Sequence, residues 1–206
     1  MKRRIRPENV FCEDVCELLS EKLQLQELGY DAKTGIKILK DVMVTKESAE
    51  NYYIQFNFFE QDIVICRDMD KITKPKDKQI KFHRSDRSNE IVIPRVIIEG
   101  KLGVGSHALI TYSKIAEDIK KIFPFVKYFL LIRSTEKREE LLRRHGQNFD
   151  YIFKLENKRW GKHKYKKGDL KKDIESNKEV RQNFEHFLRE VEEVLKRNLS
   201  NSVSRC

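Results

Sequence analysis

The sequence predicts an α/β fold, a mixed central sheet flanked by helices in the order α-β-β-β-α-β, with a basic helical C-terminal extension. Three observations predict it. DIVIC (62–66) and RVIIEGK (95–101) are short β-branched runs suited to buried strands. An amphipathic stretch, 106–123, has apolar residues three and four apart. A further apolar run, FVKYFLLI (125–132), follows it, so 95–132 has the length and character of a right-handed parallel crossover.

The elements can be justified in order. Residues 10–28 carry Val10, Val15, Leu18, Leu19, Leu25 and Leu28 at helical spacing, and Gly29 stops them. Residues 34–49 are ambiguous, with a short helix expected through IKILKDVM. NYYIQFNFF (51–59) alternates as a strand and DIVIC is a second one, after which 67–90 is too long for a turn and too charged for a core. Pro94 cannot donate to a ladder, so the third strand begins after it. Ser106 is the expected N-cap of the 106–123 helix, and Pro124 ends that pattern. A charged helix over 135–145 and a strand over 150–155 come next. One long helix, 170–199, then places Leu170, Ile174, Phe184, Leu188, Val191, Leu195 and Leu199 on one side. That stripe is expected to pack on the body, with a dimer contact as the competing use. The expected organisation is a single domain over 1–206, with its core at about 10–155 and the basic loop and last helix at 156–206.

Charge narrows the partners. The chain has 206 residues, with 43 Lys+Arg against 33 Asp+Glu, a net charge of +10 that favours polyanions. Residues 154–172 hold nine Lys/Arg and two acids, 9 − 2 = +7, which is most of the excess. Lys158, Arg159, Lys162, Lys164, Lys166 and Lys167 surround Trp160 and Tyr165 there, joining phosphate-binding charge to stacking surfaces. A basic surface loop capped by Gly161 and Gly168 would have the same composition. In 67–90, Arg84, Arg87 and Asn89 are side chains able to read base edges. No apolar run approaches a membrane span, and the first residues lead into no signal-peptide core, so a cytoplasmic protein without membrane contact is expected. Cys12, Cys16, Cys66 and Cys206 match no zinc or disulfide pattern.

The chemistry concentrates in VIIEGKLGVGSH (96–107). An acid two residues before a lysine is common here: Asp31/Lys33, Asp118/Lys120, Glu156/Lys158 and Asp169/Lys171 repeat it. Only Glu99/Lys101 ends a strongly apolar strand, where period-two alternation puts both side chains on one face. Asp62 heads DIVIC, where an unpaired carboxylate is costly. Two carboxylates at a sheet edge repel unless a cation lies between them, and hard oxygens with open water positions suit Mg²⁺, with Mn²⁺ able to substitute. A lysine beside such a cation can orient and help deprotonate water, or stabilise charge at phosphorus. His107, near the start of the following helix, could touch a phosphate; a local hydrogen-bonding role is the competing reading. No nucleotide-binding loop follows the glycines, and no organic cofactor is expected.

QDIVI (61–65) and IIEGK (97–101) together resemble the PD-(D/E)XK nuclease superfamily, with Gln61 where the motif has proline. The resemblance covers roughly 10–132. It implies a restriction-endonuclease-like core, Asp62, Glu99 and the Gly100 carbonyl as metal ligands, and Lys101 as the water-activating or charge-stabilising group. Some relatives add a glutamate from the first helix, for which Glu17 and Glu21 are the candidates. The expected function is a Mg²⁺-dependent DNA endonuclease. A type II restriction enzyme acting as a homodimer on double-stranded DNA is the first reading. The alternatives are a repair or recombination nuclease of the same superfamily, or a non-catalytic basic nucleic-acid-binding protein in which Glu99 and Lys101 form a structural ion pair.

Overall fold

In a computed structural model, residues 6–46, 52–67, 71–73, 80–82, 90–159, 161 and 164–203 are described. Among them lie five helices: α1 (Pro7–Leu23), α2 (Ser106–Ile122), α3 (Glu139–His145), α4 (Asp169–Ser176) and α5 (Lys178–Val203). The strands are β1 (Asp31–Lys46), β2 (Tyr52–Cys66), β3 (Lys71–Thr73), β4 (Ile80–Phe82), β5 (Glu90–Val92), β6 (Val96–Lys101), β7 (Lys127–Ile132) and β8 (Tyr151–Lys154). The main sheet runs β1-β2-β6-β7-β8, antiparallel across its first two joins and parallel across its last two; β4 pairs with β2, and β3 with β5 apart from it.

Alternation along β6 decides what lies on each face. Val96 and Ile98 join α1 and α5 in one apolar cluster with Ile63, Ile65, Phe129 and Leu131. Ile97 faces the other way, with Val64, Tyr128, Leu130, Ile132 and the Leu109, Ala116 and Ile119 face of α2. The parallel β6–α2–β7 crossover expected over 95–132 is present. Every residue of β6 is buried, including Glu99 and Lys101 at 6% exposure each. Those two charges therefore needed partners inside the fold.

Several expected elements differ. Residues 34–46 are strand, not helix: Ile36, Ile38, Val42 and Val44 alternate, and the register runs from Asp31↔Cys66 to Lys46↔Tyr52, with an irregularity between Leu39 and Asp41. A long partner strand overrides weak local helical spacing. NYYIQFNFF and DIVIC are one strand, because β2 continues through Glu60 and Gln61. The helix expected over 135–145 begins only at Glu139, since Thr135 N–H still bonds the Glu156 carbonyl as an extension of the sheet. Ser106 lies inside α2, with Gly105 at the N-cap. The long C-terminal helix breaks at Asn177, whose side-chain oxygen accepts from Glu179 N–H (3.0 Å) and so caps α5.

The C-terminal apolar stripe packs on the body. Leu170, Phe184, Val191 and Leu195 are at most 2% exposed and lie in the α1-side cluster, so that face is not free for a dimer contact. Among the described residues no helix is long and apolar enough to cross a membrane.

Candidate active site

β2 and β6 pair from Ile65↔Val96 to Ile63↔Ile98, and the next residues along each strand are Asp62 and Glu99. Where the main-chain ladder stops, the Asp62 side chain takes it over. Gly100 N–H donates to Asp62 Oδ2 at 3.1 Å. Lys101 Nζ donates to the same oxygen at 2.8 Å and lies 2.7 Å from Glu99 Oε1. The three residues picked from sequence thus form one cluster at the end of β6. Glu99 and Lys101 side chains are each 8% exposed, whereas Asp62 is 29% exposed and opens the cluster to solvent.

With both carboxylates ionised, one ammonium between them leaves a net charge of −1 in a mostly buried place. Burial foremost, then Asp62, pushes the Glu99 carboxyl up to about 7 against the lowering pull of Lys101. For Lys101, burial works to lower the pKa, but Glu99 and Asp62 outweigh it and hold it above the ordinary lysine value. The ammonium is therefore charged at neutral pH, and it also lies 4.5 Å from the centre of the Tyr112 ring.

The Gly100 carbonyl is oriented by strand alternation. Arg133 N–H donates to the Lys101 carbonyl from the end of β7 (2.7 Å), so Lys101 presents its main chain to that side. Gly100 then presents its N–H and C=O toward β2, the side where Asp62 lies. Its carbonyl receives a weak bond from the Cys12 thiol at 3.6 Å. Among the described residues no three His, Cys, Asp or Glu side chains converge. A divalent cation would rest on the Asp62 and Glu99 carboxylates, the Gly100 carbonyl and water, a hard-oxygen set that fits Mg²⁺ or Mn²⁺ and would offset the surplus negative charge.

Glycine at 100 also has a packing cause. A Cβ there would lie 2.7 Å from Cys12 Sγ, so α1 approaches β6 this closely only over a hydrogen.

The first-helix glutamates lie elsewhere. Glu17 is exposed and pairs with Lys167 (2.6 Å), and Glu21 is exposed beside Lys22. Both are C-terminal to Cys12, the residue at Gly100, by five and nine positions, or about 8 and 14 Å of helix. Glu8, one turn before Cys12, is the α1 acid whose charge acts on both Cys12 and Tyr112. Its i, i+4 relation to Cys12 is a faint signal in sequence. Tyr112 was legible only as one more residue of the α2 apolar stripe. His107 is exposed and lies five residues before Tyr112, about 140° round the helix, so it points away from the lysine.

The expected nucleic-acid residues divide. Arg84, Arg87, Asn89, Trp160 and Lys162 lie outside the described residues. Arg159, Lys164 and Lys166 are exposed, Lys158 is exposed but pairs with Glu156 (2.6 Å), and Lys167 is held by Glu17. Tyr165 is a core residue and not a stacking surface. It is 5% exposed, meets the Phe11 ring edge-on, donates to Asp14 Oδ2 (2.7 Å) and accepts from Leu170 N–H (2.9 Å). The basic run around it concealed that Tyr165 alone turns inward while Lys164, Lys166 and Lys167 stay exposed.

No protein-family model matches the chain, and no curated protein matches it. Among solved structures, a chain of the native BbvCI A2B2 tetramer is similar over 60% of this chain and 45% of that one, at 17% identity and a TM-score of 0.43. This chain therefore spans less than half the length of that neighbour, at a superposition below the level that defines a common fold.

Proposed function

We propose that the chain is a metal-dependent nuclease that hydrolyses phosphodiester bonds in DNA at Asp62, Glu99 and Lys101. The observation that carries the reading is that two carboxylates share one lysine, with Asp62 opening the cluster to solvent. A structural ion pair would need one acid, not two.

Mg²⁺ held by Asp62, Glu99 and the Gly100 carbonyl would act as a Lewis acid toward a phosphoryl oxygen and make water a better nucleophile. Asp62, the more exposed acid, faces the side from which substrate arrives. Lys101 is fixed by both acids, so its ammonium stands ready where negative charge grows on phosphorus. Its part is to stabilise that charge and to orient water. Tyr112 supports the ammonium from the α2 side. A type II restriction enzyme cutting a specific duplex site as a homodimer is the finer reading.

Plasmid cleavage with Mg²⁺ and with EDTA tests it. Asp62→Ala and Lys101→Ala are each expected to lower cleavage by about 100-fold or more, the scale on which a transition-state electrostatic group acts. Cleavage in EDTA, or activity retained in both variants, overturns the reading. Discrete bands support site-specific restriction, and a smear rejects it.

A further inference from the structure

A second feature lies just beyond the cluster. Gly103, Val104, Ser134, Thr135, Glu136, Lys137 and Arg159 line a cavity of about 360 Å³ at the C-terminal ends of the parallel strands β6 and β7. Its walls are pinned to the sheet: Ser134 N–H bonds the Leu102 carbonyl and Thr135 N–H the Glu156 carbonyl, both at 3.1 Å.

The cavity is positive without an internal reason. Lys137 Nζ donates to the Ser106 hydroxyl at 3.1 Å, at the first residue of α2. That helix end has no side-chain cap and no acid in its first turn, so a lysine meets the positive end of the helix dipole. Among the described residues, neither Lys137 nor Arg159 has a carboxylate within ion-pair distance. Thr135, 5% exposed, accepts from Lys137 N–H (3.2 Å), leaving its own hydroxyl proton to donate. Two cations and a buried hydroxyl are donors suited to a phosphate ester, and α2 begins beside them at Ser106. Glu136 is the single opposing charge in the lining and is exposed.

Gly103 lies two residues after Lys101, through a bend at 102–103 and so at most about 7 Å along the chain, within one nucleotide step. We propose that this cavity seats the DNA backbone phosphate next to the one at Asp62, Glu99 and Lys101, with Lys137 and Arg159 as its charged contacts. The assignment rests on the nuclease reading. It makes the α2 start a register stop for the strand: one phosphate is held here, and its neighbour falls at the acids.

The test is the salt dependence of binding of a labelled duplex to the full chain without divalent metal, read by anisotropy. Each phosphate contact removed lowers the log–log slope by about 0.9. Because both side chains act on one phosphate, Lys137→Ala with Arg159→Ala should reduce it by about 0.9. Between about 50 and 200 mM salt, a fourfold change, that makes the loss of affinity smaller by about 4^0.9, or about 3.5-fold. Exposed Arg159→Ala alone should remove about half of the slope change, which keeps the test valid if the double variant does not fold. Lys137→Arg with Arg159→Lys should keep the slope, and Glu136→Gln should tighten binding. An unchanged slope in a folded Arg159→Ala or double variant overturns the assignment. So does inorganic phosphate raising the melting temperature while the duplex slope stays unchanged, which would make this a small-anion site. A wild-type chain that binds no duplex refutes the nuclease reading itself.

Discussion

Gly100→Ala tests how α1 is docked at the cluster. The new Cβ would stand 2.7 Å from Cys12 Sγ, while its next neighbours, Phe11 Cδ1 and Cε1, are at an ordinary 3.6 Å. A comfortable carbon contact needs about 3.5–4.0 Å, so the overlap is about 0.8 Å or more and falls on one atom. Both partners are buried, and relief requires α1 to move off β6. Overpacking of this kind costs about 1–3 kcal/mol, or roughly 2–12 °C in melting temperature for a chain this long. Cys12→Ala removes the obstructing sulfur at a cost of about 1 kcal/mol for the small void it leaves. In that background Gly100→Ala should be nearly neutral, so the double-mutant cycle should show about 1–3 kcal/mol of rescue. Urea denaturation of the four proteins measures it. An equal penalty for Gly100→Ala with and without the thiol would refute the packing cause and return the glycine to a purely main-chain role.

Two further predictions follow from the polar contacts. Asp150 accepts from Tyr128 N–H (2.8 Å) and pairs with Lys120 (2.6 Å) and Lys127 (3.0 Å); burial works to raise its pKa, but these contacts outweigh it and lower it. A carboxylate with a depressed folded pKa contributes stability above its unfolded value, near 3.9, and loses it as pH falls through the folded one. Asp150→Asn should therefore cost about 1–3 kcal/mol at neutral pH and flatten the fall in melting temperature below about pH 4; equal acid slopes in both proteins would contradict this. Tyr165→Phe strands Leu170 N–H and removes a donor from Asp14, so it should lose about 1–3 kcal/mol while leaving duplex affinity of the folded protein unchanged. A selective loss of affinity would instead restore Tyr165 as a nucleic-acid contact.

What could be read from sequence followed from how strongly each pattern was enforced. IIEGK was legible because a six-residue buried strand leaves a charge only its end, and alternation alone puts Glu99 and Lys101 together. Asp62 was legible as an acid at the head of a buried run. By contrast, Ile36 to Val44 has spacing compatible with two structures, and only the long β2 beside it selects strand. Asn177 was a visible cap signal inside an apolar stripe that ran past it unbroken. Tyr112 and Glu8 carry only faint spacing marks, since each takes its place from helices that the chain brings to the cluster across 90 or more intervening residues for Glu8, and only through the turn at 102–105 for Tyr112. Tyr165 shows the converse error, because local composition said surface while a contact with Asp14, 151 residues away, made it core.

The join between β2 and β6 makes strand register a chemical specification. Three pairs, Ile63↔Ile98, Val64↔Ile97 and Ile65↔Val96, fix it. A slip by one residue would invert the faces of β2, sending Asp62 toward Cys12 and α1 and leaving Glu99 and Lys101 as a simple neutral couple. Isoleucine and valine packing thus enforces which acid meets which base, and a conservative core change that loosens this pairing would take the cluster apart without altering any residue in it.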